Sequence, residues 1–411
     1  MMNKEGFKKL ISLHELMEII QQFSFPLHVE SQTVLESCRR ILAEDIQAGI
    51  AVPSFAKSAM DGYAVRAEDS YHASPTKRIS LQTVDHITPG NFSSHILQPG
   101  EAIEISTGAP IPDGADAVIM VEYCENKSPD EIWISKPVSP GENVITIGSD
   151  IRQGEVVLCK GTYINPAKIG VLSALGLQEV QVVKKPVICI ASTGNELLEP
   201  GDILEPGKIF DINRFTIQSA CENEGCEVKS FGVIPDNQSQ IKTTLQKMIE
   251  QGDLILLSGG SSLGASDYMY EILQSMGKVV AHGIAVKPGK PTMIGQINQK
   301  WVIGLPGHPT SALSNYYLII QSMIYRMQHR IQPVRPTIKG VLTQKLFSTI
   351  GRWEFIPVSV DRCGSATAVT PLLTGSSAIT SLARADGFIE LPEYAEIIEK
   401  GTEIEVSLFS L

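Results

Sequence analysis

The stretch Leu254-Ile-Leu-Leu-Ser-Gly-Gly-Ser-Ser-Leu-Gly-Ala-Ser-Asp267 joins an apolar run to a glycine-rich loop. Its first four residues are typical of a buried parallel strand, and Tyr268 to Met276 favour a short helix. A glycine-rich loop between a strand and a helix presents several backbone N–H groups in one small volume. Such a nest, with the helix dipole behind it, attracts phosphate or another oxyanion. The alternative is a tight turn in which the glycines only supply positive φ angles.

Three further apolar runs predict strands of the same sheet, and two amphipathic segments predict helices between them. The strands are predicted at Val187 to Ala191, Val228 to Ile234 and Lys300 to Ile303, and the helices at Asn213 to Glu224 and Gln238 to Gln251. This alternation predicts a doubly wound α/β sheet. In that fold class ligands bind beyond the carboxyl ends of the strands, so we expect the polar strand exits to form one crevice.

Charged residues accompany these strand exits. Glu196, Asp236 and Asp267 each follow one of the predicted strands. A single carboxylate there is usually a helix cap or a solvated turn, but three beside an oxyanion nest predict a divalent cation that bridges protein and phosphate. Lys287-Pro-Gly-Lys-Pro291 places two lysines around a proline-stiffened turn. Such a turn is either an exposed hairpin or a clamp for a polyanion.

Composition limits the class of protein. The chain has 411 residues, 43% of them hydrophobic, a formal charge of −11 and seven cysteines without a CxxC pair. The length predicts two to four domains, and the negative charge argues against nucleic acid as a partner. We expect no membrane span and no signal peptide. Scattered cysteines without pairing favour small buried hydrophobes in a reducing cytoplasm.

The remaining sequence predicts helices and β-rich segments around the α/β domain. Ser12 and Glu15 form a capping box before a helix, Val34 to Ala43 predicts a second helix, and Asn165-Pro166 starts a third. The fold class is therefore multidomain, mixed α/β and β. The predicted divisions are a discontinuous helical and β linking domain (1–52 plus 142–184), a β-rich inserted domain (53–141), a doubly wound α/β domain (185–330) and a C-terminal β domain (331–411).

Short polar clusters follow one another in a fixed order along most of the chain. They are SAMDGYAV from Ser58, STGAPIP from Ser106, GSDI from Gly148, STGNEL from Ser192, the SGG-S-LG-SD loop from Ser258, KPGKP from Lys287, GLPG-P from Gly304, Gly375-Ser-Ser-Ala378 and Ala385-Asp-Gly387. Each cluster alone is compatible with ordinary turn chemistry. Together they resemble one family, the molybdopterin molybdenumtransferases, which includes MoeA and the E domain of gephyrin.

The resemblance implies an elongated homodimer of four-domain subunits. It implies that the α/β domain is a molybdopterin-binding domain, and that the active site lies between it and the β-rich insertion of the other subunit. The implied reaction consumes adenylylated molybdopterin and molybdate, releases AMP and requires Mg²⁺. The implied partners are the molybdopterin adenylyltransferase and other proteins of cofactor biosynthesis, with no nucleic acid and no membrane.

Functional residues are carried over motif by motif. The catalytic candidates are Asp61, Thr107, Asp150, Glu196, Asp236 and Asp267, of which Glu196, Asp236 and Asp267 are the Mg²⁺ candidates. The substrate-binding candidates are Ser258, Gly259, Gly260, Ser262, Gly264, Lys287, Lys290, Pro306, His308, Pro309, Ser311, Arg352 and Ser376. Mg²⁺ held by the carboxylates would neutralise the phosphates of the substrate, and Lys287 and Lys290 would stabilise its anionic charge. The loop from Ser258 to Gly264 is expected to hold the terminal phosphate of the pterin.

The sequence departs from the family pattern at two positions. The usual GLPGNP reads GLPGHP, which puts His308 at an expected helix N-cap, where Asn is much the stronger cap. Pro357 stands where the family often has a second arginine. Two other functions remain open from the sequence, a non-catalytic molybdopterin-binding scaffold and a molybdopterin adenylyltransferase. The Asp61 and Thr107 clusters argue against the adenylyltransferase.

Overall fold

The computed structural model describes residues 9–259, 265–331, 333–363, 366–373 and 375–409, without the side chains of 265–267, 363 and 366. The chain forms two compact units. The first comprises Met1–Glu30, Arg39–Ala43 and Val182–Leu411, and the second comprises Ser31–Cys38 and Glu44–Gln181. Each unit has its own sheets and its own core.

A six-stranded sheet forms the centre of the first unit. Its strands are, in spatial order, Glu227–Ile234, Val187–Thr193, Leu254–Gly259, Lys300–Leu305, Met293–Ile297 and Lys278–His282. The first four are parallel, the fifth runs antiparallel to the fourth, and the sixth runs antiparallel to the fifth. Asn298 and Gln299, both with positive φ, form the tight turn that reverses the chain between the fourth and fifth strands. The predicted doubly wound sheet is confirmed, with an antiparallel edge added to it.

Helices cover both faces of this sheet. The helices of the first unit are Leu13–Gln22, Asn213–Asn223, Gln238–Gln251, Ala265–Met276, Pro309–Asn315, Gln321–Met327 and Ile379–Ala383, with a π-helical segment at Tyr316–Ile320. Alternate residues of one strand enter different cores: Ile188 and Ile190 pack with the first helix, and Cys189 and Ala191 pack with Gln238–Gln251. Burial on both faces explains why the parallel strands are continuous apolar runs.

A second six-stranded sheet belongs to the C-terminal part of the first unit. Its strands are, in spatial order, Val286–Lys287, Trp353–Cys363, Ala366–Pro371, Thr337–Leu342, Glu403–Leu408 and Gly387–Leu391. Stacked rings join it to the helix after Pro309: Phe355 and Phe388 lie 4.3 Å apart, and Tyr317 contacts both. The short strand at Val286 pairs with Trp353 and Glu354, so Lys287 is fixed on this sheet.

The second unit is built on a six-stranded β-sheet, as expected for the inserted region. Its strands are, in spatial order, Ala117–Met120, Gly62–Val65, Glu101–Ile105, Ile79–Ile87, Glu131–Ile134 and Cys124–Ser128. A Cβ atom on Gly62 would lie 1.9 Å from the carbonyl oxygen of Ile119. The glycine that follows Asp61 is therefore required by the close approach of two strands.

The remaining elements are short. The further strands are Val29–Thr33, Ile46–Gln47, Lys57–Ser58, Val144–Ile145, Val156–Leu158, Glu179–Val183, Leu197–Leu198, Ile209–Phe210, Leu346–Phe347 and Ile397–Ile398, with 3₁₀ turns at Ala67–Ser70 and Val121–Tyr123. The predicted caps are confirmed, because Ser12 accepts the N–H of Glu15 and Asn165 caps the helix Pro166–Ala174. Among the described helices, none has the length and apolar character needed to cross a membrane.

The prediction of a helix from Val34 to Ala43 is wrong. This segment is a series of turns, and Arg39 adopts a positive φ of 66° that ends any helical repeat. Leu35 is 77% exposed, so the apolar spacing does not describe a buried face. Arg40 is buried and donates to the carbonyl of Val183, 143 residues away. Tertiary contacts therefore override a weak helical pattern.

Candidate active site

Four strand exits lie side by side along the carboxyl edge of the central sheet. In the order of the strands they carry Asp236, Glu196, the Ser258 loop and the segment 306–309. The sheet order thus places two predicted carboxylates, the predicted anion-binding loop and a predicted substrate-binding segment at one edge. This is the edge at which open α/β sheets bind their ligands.

The two carboxylates belong to adjoining loops. Asn195 accepts the backbone N–H of Asp236 at 3.2 Å, and Glu196 is exposed beside it. Oδ1 of Asp236 is buried and has no hydrogen-bond partner among the described residues. An unpaired buried carboxylate oxygen is costly unless a cation or donor satisfies it, so this residue fits a magnesium ligand. Within the described residues no three acidic, His or Cys side chains form a metal cluster.

The predicted anion-binding loop starts at a tightly constrained point. Ser258 is 2% exposed, and a Cβ on Gly259 would lie 2.1 Å from the carbonyl oxygen of Thr193. Gly259 also has a φ of 109°, so both space and conformation require glycine there. The other predicted members of this site, Gly260, Ser262, Gly264 and the side chain of Asp267, lie outside the described residues.

A cavity of about 710 Å³ opens beside these loops, between the central sheet and the C-terminal sheet. Its walls include seven of the predicted substrate-binding residues, namely Lys287, Lys290, Pro306, His308, Ser311, Arg352 and Ser376. Phe347, Ile356 and Leu373 add apolar surface. The cavity therefore combines four cationic side chains, those of Lys287, Lys290, Lys345 and Arg352, with apolar walls, which suits an anion attached to a ring system.

A buried carboxylate, Glu354, was not anticipated from the sequence. Its side chain is 4% exposed and lies 3.0 Å from the ammonium group of Lys287, whose side chain is 46% exposed. The backbone N–H of Thr349 also donates to Glu354, at 2.7 Å. The ion pair fixes Lys287 at the cavity wall and offsets part of its charge. The sequence signal is a single acidic residue between the aromatic residues Trp353 and Phe355, at the start of a strand.

Asn315 is a second residue that sequence reasoning missed. It is fully buried and donates from Nδ2 to the carbonyl of Gly289, at the centre of the KPGKP turn, at 3.2 Å. Gly289 has a φ of 111°, and a Cβ there would lie 2.5 Å from Oδ1 of Asn315. The buried amide of Asn315 therefore holds the turn that carries Lys287 and Lys290 in place through its contact with Gly289.

His308 occupies the N-cap position of the helix that starts at Pro309, as predicted. It makes no capping hydrogen bond with the helix. Its Nδ1 instead lies 2.8 Å from Oγ of Ser376, and the N–H of Thr310 donates to the carbonyl of Ser376 at 3.2 Å. Two predicted substrate-binding residues are thereby brought together from segments 68 residues apart.

The second unit holds the other predicted residues. Asp61 accepts both the backbone N–H and the hydroxyl of Thr107, at 2.7 and 2.9 Å. The backbone bond is the larger of two effects that lower the pKa of Asp61, so this carboxyl group is a stable anion. Asp150 is exposed, and its N–H donates to the carbonyl of Val52. The two sequence motifs that contain Asp61 and Thr107 thus form one polar site.

Comparisons with known proteins identify the family. Three family models match in chain order: the MoeA N-terminal region (domain I and II) over residues 11–176, a probable molybdopterin binding domain over 189–326, and the MoeA C-terminal region (domain IV) over 339–409. A molybdopterin molybdenumtransferase of Haemophilus influenzae is 33% identical over 396 residues, which cover 96% of this chain and 97% of that protein. The chain belongs to the molybdopterin molybdenumtransferase family.

Other members of the molybdopterin molybdenumtransferase family are similarly related. A molybdopterin molybdenumtransferase of Staphylococcus aureus is 33% identical over 407 residues, covering 98% of this chain and 94% of that protein. The crystal structure of a molybdopterin biosynthesis MoeA protein from Pyrococcus horikosii matches with a TM-score of 0.86 and 38% identity, covering 98% of this chain and all of that one. The family therefore accounts for both units of the fold and for the C-terminal sheet.

Proposed function

We propose that this enzyme inserts molybdenum from molybdate into adenylylated molybdopterin and releases AMP. The observation that carries the proposal is the cavity with Lys287, Lys290 and Arg352 on its walls, next to the carboxyl edge that carries Glu196 and Asp236. Cationic groups at the wall suit a tetrahedral oxyanion, and apolar surface suits the pterin. The adjoining carboxylates suit a cation that accompanies phosphate.

Each group of residues has a distinct proposed role. Glu196 and Asp236 would hold Mg²⁺ together with Asp267, and the ion would neutralise the phosphates of the substrate and polarise phosphorus toward attack by water. The Ser258 loop would bind the terminal phosphate of the pterin. Lys287, Lys290, Arg352 and Ser376 would bind and orient the oxyanion. Molybdenum is substrate here, and the dithiolene of the molybdopterin provides its thiolate ligands.

Asp61, Thr107 and Asp150 would act from the second unit. An ionised Asp61 accepts hydrogen bonds but donates none, so we assign it to orienting water or a hydroxyl group rather than to proton donation. Thr107 would hold that carboxylate in position through its two bonds. Asp150 would provide a second carboxylate of the second unit.

We also propose the assembly and the cellular setting. The chain would form a homodimer of four-domain subunits (1–52 plus 142–184, 53–141, 185–330 and 331–411), in which each site takes residues from both chains. It would receive its substrate from the molybdopterin adenylyltransferase in the cytoplasm, without nucleic acid or membrane as partners. Buried free thiols support a reducing compartment, since burial raises the pKa of Cys189 to about 11 and makes it unreactive.

An assay with purified protein tests this proposal. The protein is incubated with adenylylated molybdopterin, Mg²⁺ and molybdate, and both AMP and molybdenum-loaded cofactor are quantified. The proposal expects AMP release that depends on Mg²⁺ and molybdate, with cofactor formed in parallel. Tight binding of the substrate without AMP release would instead indicate a non-catalytic scaffold, and synthesis of the adenylate from ATP would indicate an adenylyltransferase.

A further inference from the structure

The loop of residues 194–212 carries Glu196 at the carboxyl edge of the central sheet. Its two legs are joined by backbone hydrogen bonds: the N–H of Ile209 donates to the carbonyl of Glu196, and the N–H of Asp211 donates to that of Leu198, each at 2.9 Å. The base of the loop is therefore one connected unit. A displacement of either leg also displaces Glu196.

Arg214, in the first turn of the helix that follows, binds both legs of this loop. Its side chain is 7% exposed, and it donates to Asp211 at 2.8 Å on one leg and to Glu199 on the other. It also donates to Oγ of Ser230 at 2.6 Å. Ser230 lies on the strand that leads to Asp236. One guanidinium group therefore connects the loop with that strand.

The strand that leads to Asp236 is irregular next to this contact. Between Ser230 and Val233 it contains one residue more than the adjoining strand, which makes a β-bulge. Gly232, inside the bulge, adopts a φ of 71°, and a Cβ atom there would lie 3.6 Å from Oε1 of Glu199. A bulge bends its strand and re-aims the residues that follow. The guanidinium group and Glu199 therefore contact the strand where its direction changes, shortly before Asp236.

Stability alone does not require Glu199. Arg214 already forms a buried ion pair with Asp211, which is 3% exposed and also accepts the hydroxyl of Ser192 at 2.9 Å. Glu199 is a second carboxylate on the same guanidinium group, and its side chain is 44% exposed. Ion pairs with so exposed a partner contribute little to stability. What Glu199 adds is a fixed position for the leg of the loop that starts at Glu196.

We propose that Arg214 and Glu199 are positioning residues for Mg²⁺. The pair fixes the Glu196 loop against the strand of Asp236 and thereby sets the spacing of two carboxylates. The inference rests on the proposed function, which takes those carboxylates as ligands of the ion. Without the pair, the correct spacing is populated for a smaller fraction of the time, so the apparent Kd for the metal rises by the inverse of that fraction. Saturating metal selects the competent arrangement and restores turnover.

The test compares Glu199→Ala with a matched control, Glu205→Ala. Glu205 is an exposed residue of the same loop, so both variants remove one carboxylate from one segment. The main measurement is the Kd for Mn²⁺ by electron paramagnetic resonance, without substrate, since Mn²⁺ prefers the same oxygen ligands as Mg²⁺. The second is AMP release from adenylylated molybdopterin as a function of Mg²⁺ concentration, which gives the half-saturating concentration and kcat separately. Tm is recorded for every variant.

We expect Glu199→Ala to raise the Kd for Mn²⁺ and the half-saturating Mg²⁺ concentration about fivefold or more, with kcat at saturating Mg²⁺ within about twofold of the wild type. Glu205→Ala should match the wild type in all three quantities. Unchanged metal affinity with a lower Tm would overturn the inference, because it indicates a purely structural pair. A loss of kcat that saturating Mg²⁺ does not restore would also overturn it.

Arg214→Lys provides a second variant, which decides under the same criteria if Glu199→Ala does not fold. Lysine retains a positive charge but lacks the planar fork that bonds Asp211, Ser230 and Glu199 together, so the same weakening of metal binding is expected. Wild-type protein that binds no Mn²⁺ overturns the inference. Metal binding that weakens as expected in a protein whose wild type releases no AMP refutes the proposed function and supports the positioning role.

Discussion

We predict that breaking the Lys287–Glu354 ion pair at Glu354 lowers the stability of the protein but strengthens anion binding. Glu354 is almost fully buried, whereas the Lys287 side chain is 46% exposed. Removing one partner of a fully buried pair costs about 3–5 kcal/mol. Water reaches Lys287, and the N–H of Thr349 remains bonded to Glu354, so we expect Lys287→Met to lower the free energy of unfolding by about 1–2 kcal/mol.

A double-mutant cycle isolates the pair. Lys287→Met, Glu354→Gln and the double variant are unfolded in urea, and the expected coupling energy is about 1 kcal/mol. Lys339 and Glu403 provide the control, because they pair on the same sheet at 4.0 Å with side chains 70% and 69% exposed. Their coupling should be close to zero, as for most surface pairs.

The affinity for anions should rise when Glu354 loses its charge, although the stability of the protein falls. Glu354→Gln leaves the ammonium group of Lys287 uncompensated at the cavity wall, so molybdate affinity measured by calorimetry should rise about threefold to tenfold although stability falls. The gain should shrink at high salt. A coupling energy no larger than that of the control pair, or weaker molybdate binding by Glu354→Gln, would refute the reasoning.

Three further predictions concern individual residues. Thr107→Val removes the hydroxyl donor to Asp61, so the pKa of Asp61, which the Thr107 bonds hold below its usual range, should rise in a carboxyl ¹³C NMR titration; an unchanged value would show that the hydroxyl bond is unimportant. Verified heterodimers of Asp61→Ala and Glu196→Ala chains should regain AMP release if both residues serve one inter-subunit site, and inactive heterodimers would count against a shared site. His308→Asn should raise the free energy of unfolding by about 1 kcal/mol or less, because Asn caps a helix and His308 does not. An unchanged free energy of unfolding would mark His308 as a simple turn residue.

Much of the α/β fold could be predicted because its signals are local. The helix at Gln238–Gln251 has the predicted bounds, since its apolar residues repeat at helical spacing and Asn237 supplies a cap. The four parallel strands could also be predicted locally, because each one is a short continuous apolar run. The predicted helix at Val34 to Ala43 failed because Arg40 is held by distant partners that no local pattern reveals.

The candidate site was only partly readable from the sequence. Glycine-rich strand exits and the KPGKP turn could be recognised because turn chemistry is local. The contacts that hold them could not, since Lys287 and Glu354 are 67 residues apart and Asn213 and Pro306 are 93 residues apart. Such pairs are created by sheet order and domain packing. The sequence therefore indicates candidate residues in turns more readily than the distant residues that hold those turns in place.

The most direct test of the central claim is a single-turnover measurement of AMP release by wild-type protein and Glu196→Ala. Glu196 is exposed at the carboxyl edge, so the variant should stay folded, which circular dichroism and Tm verify. With adenylylated molybdopterin, Mg²⁺ and molybdate, the wild type should release one AMP for each molybdenum-loaded cofactor formed, and Glu196→Ala should release almost none. Equal AMP release by the two proteins, or no release by correctly folded wild type, would contradict the account.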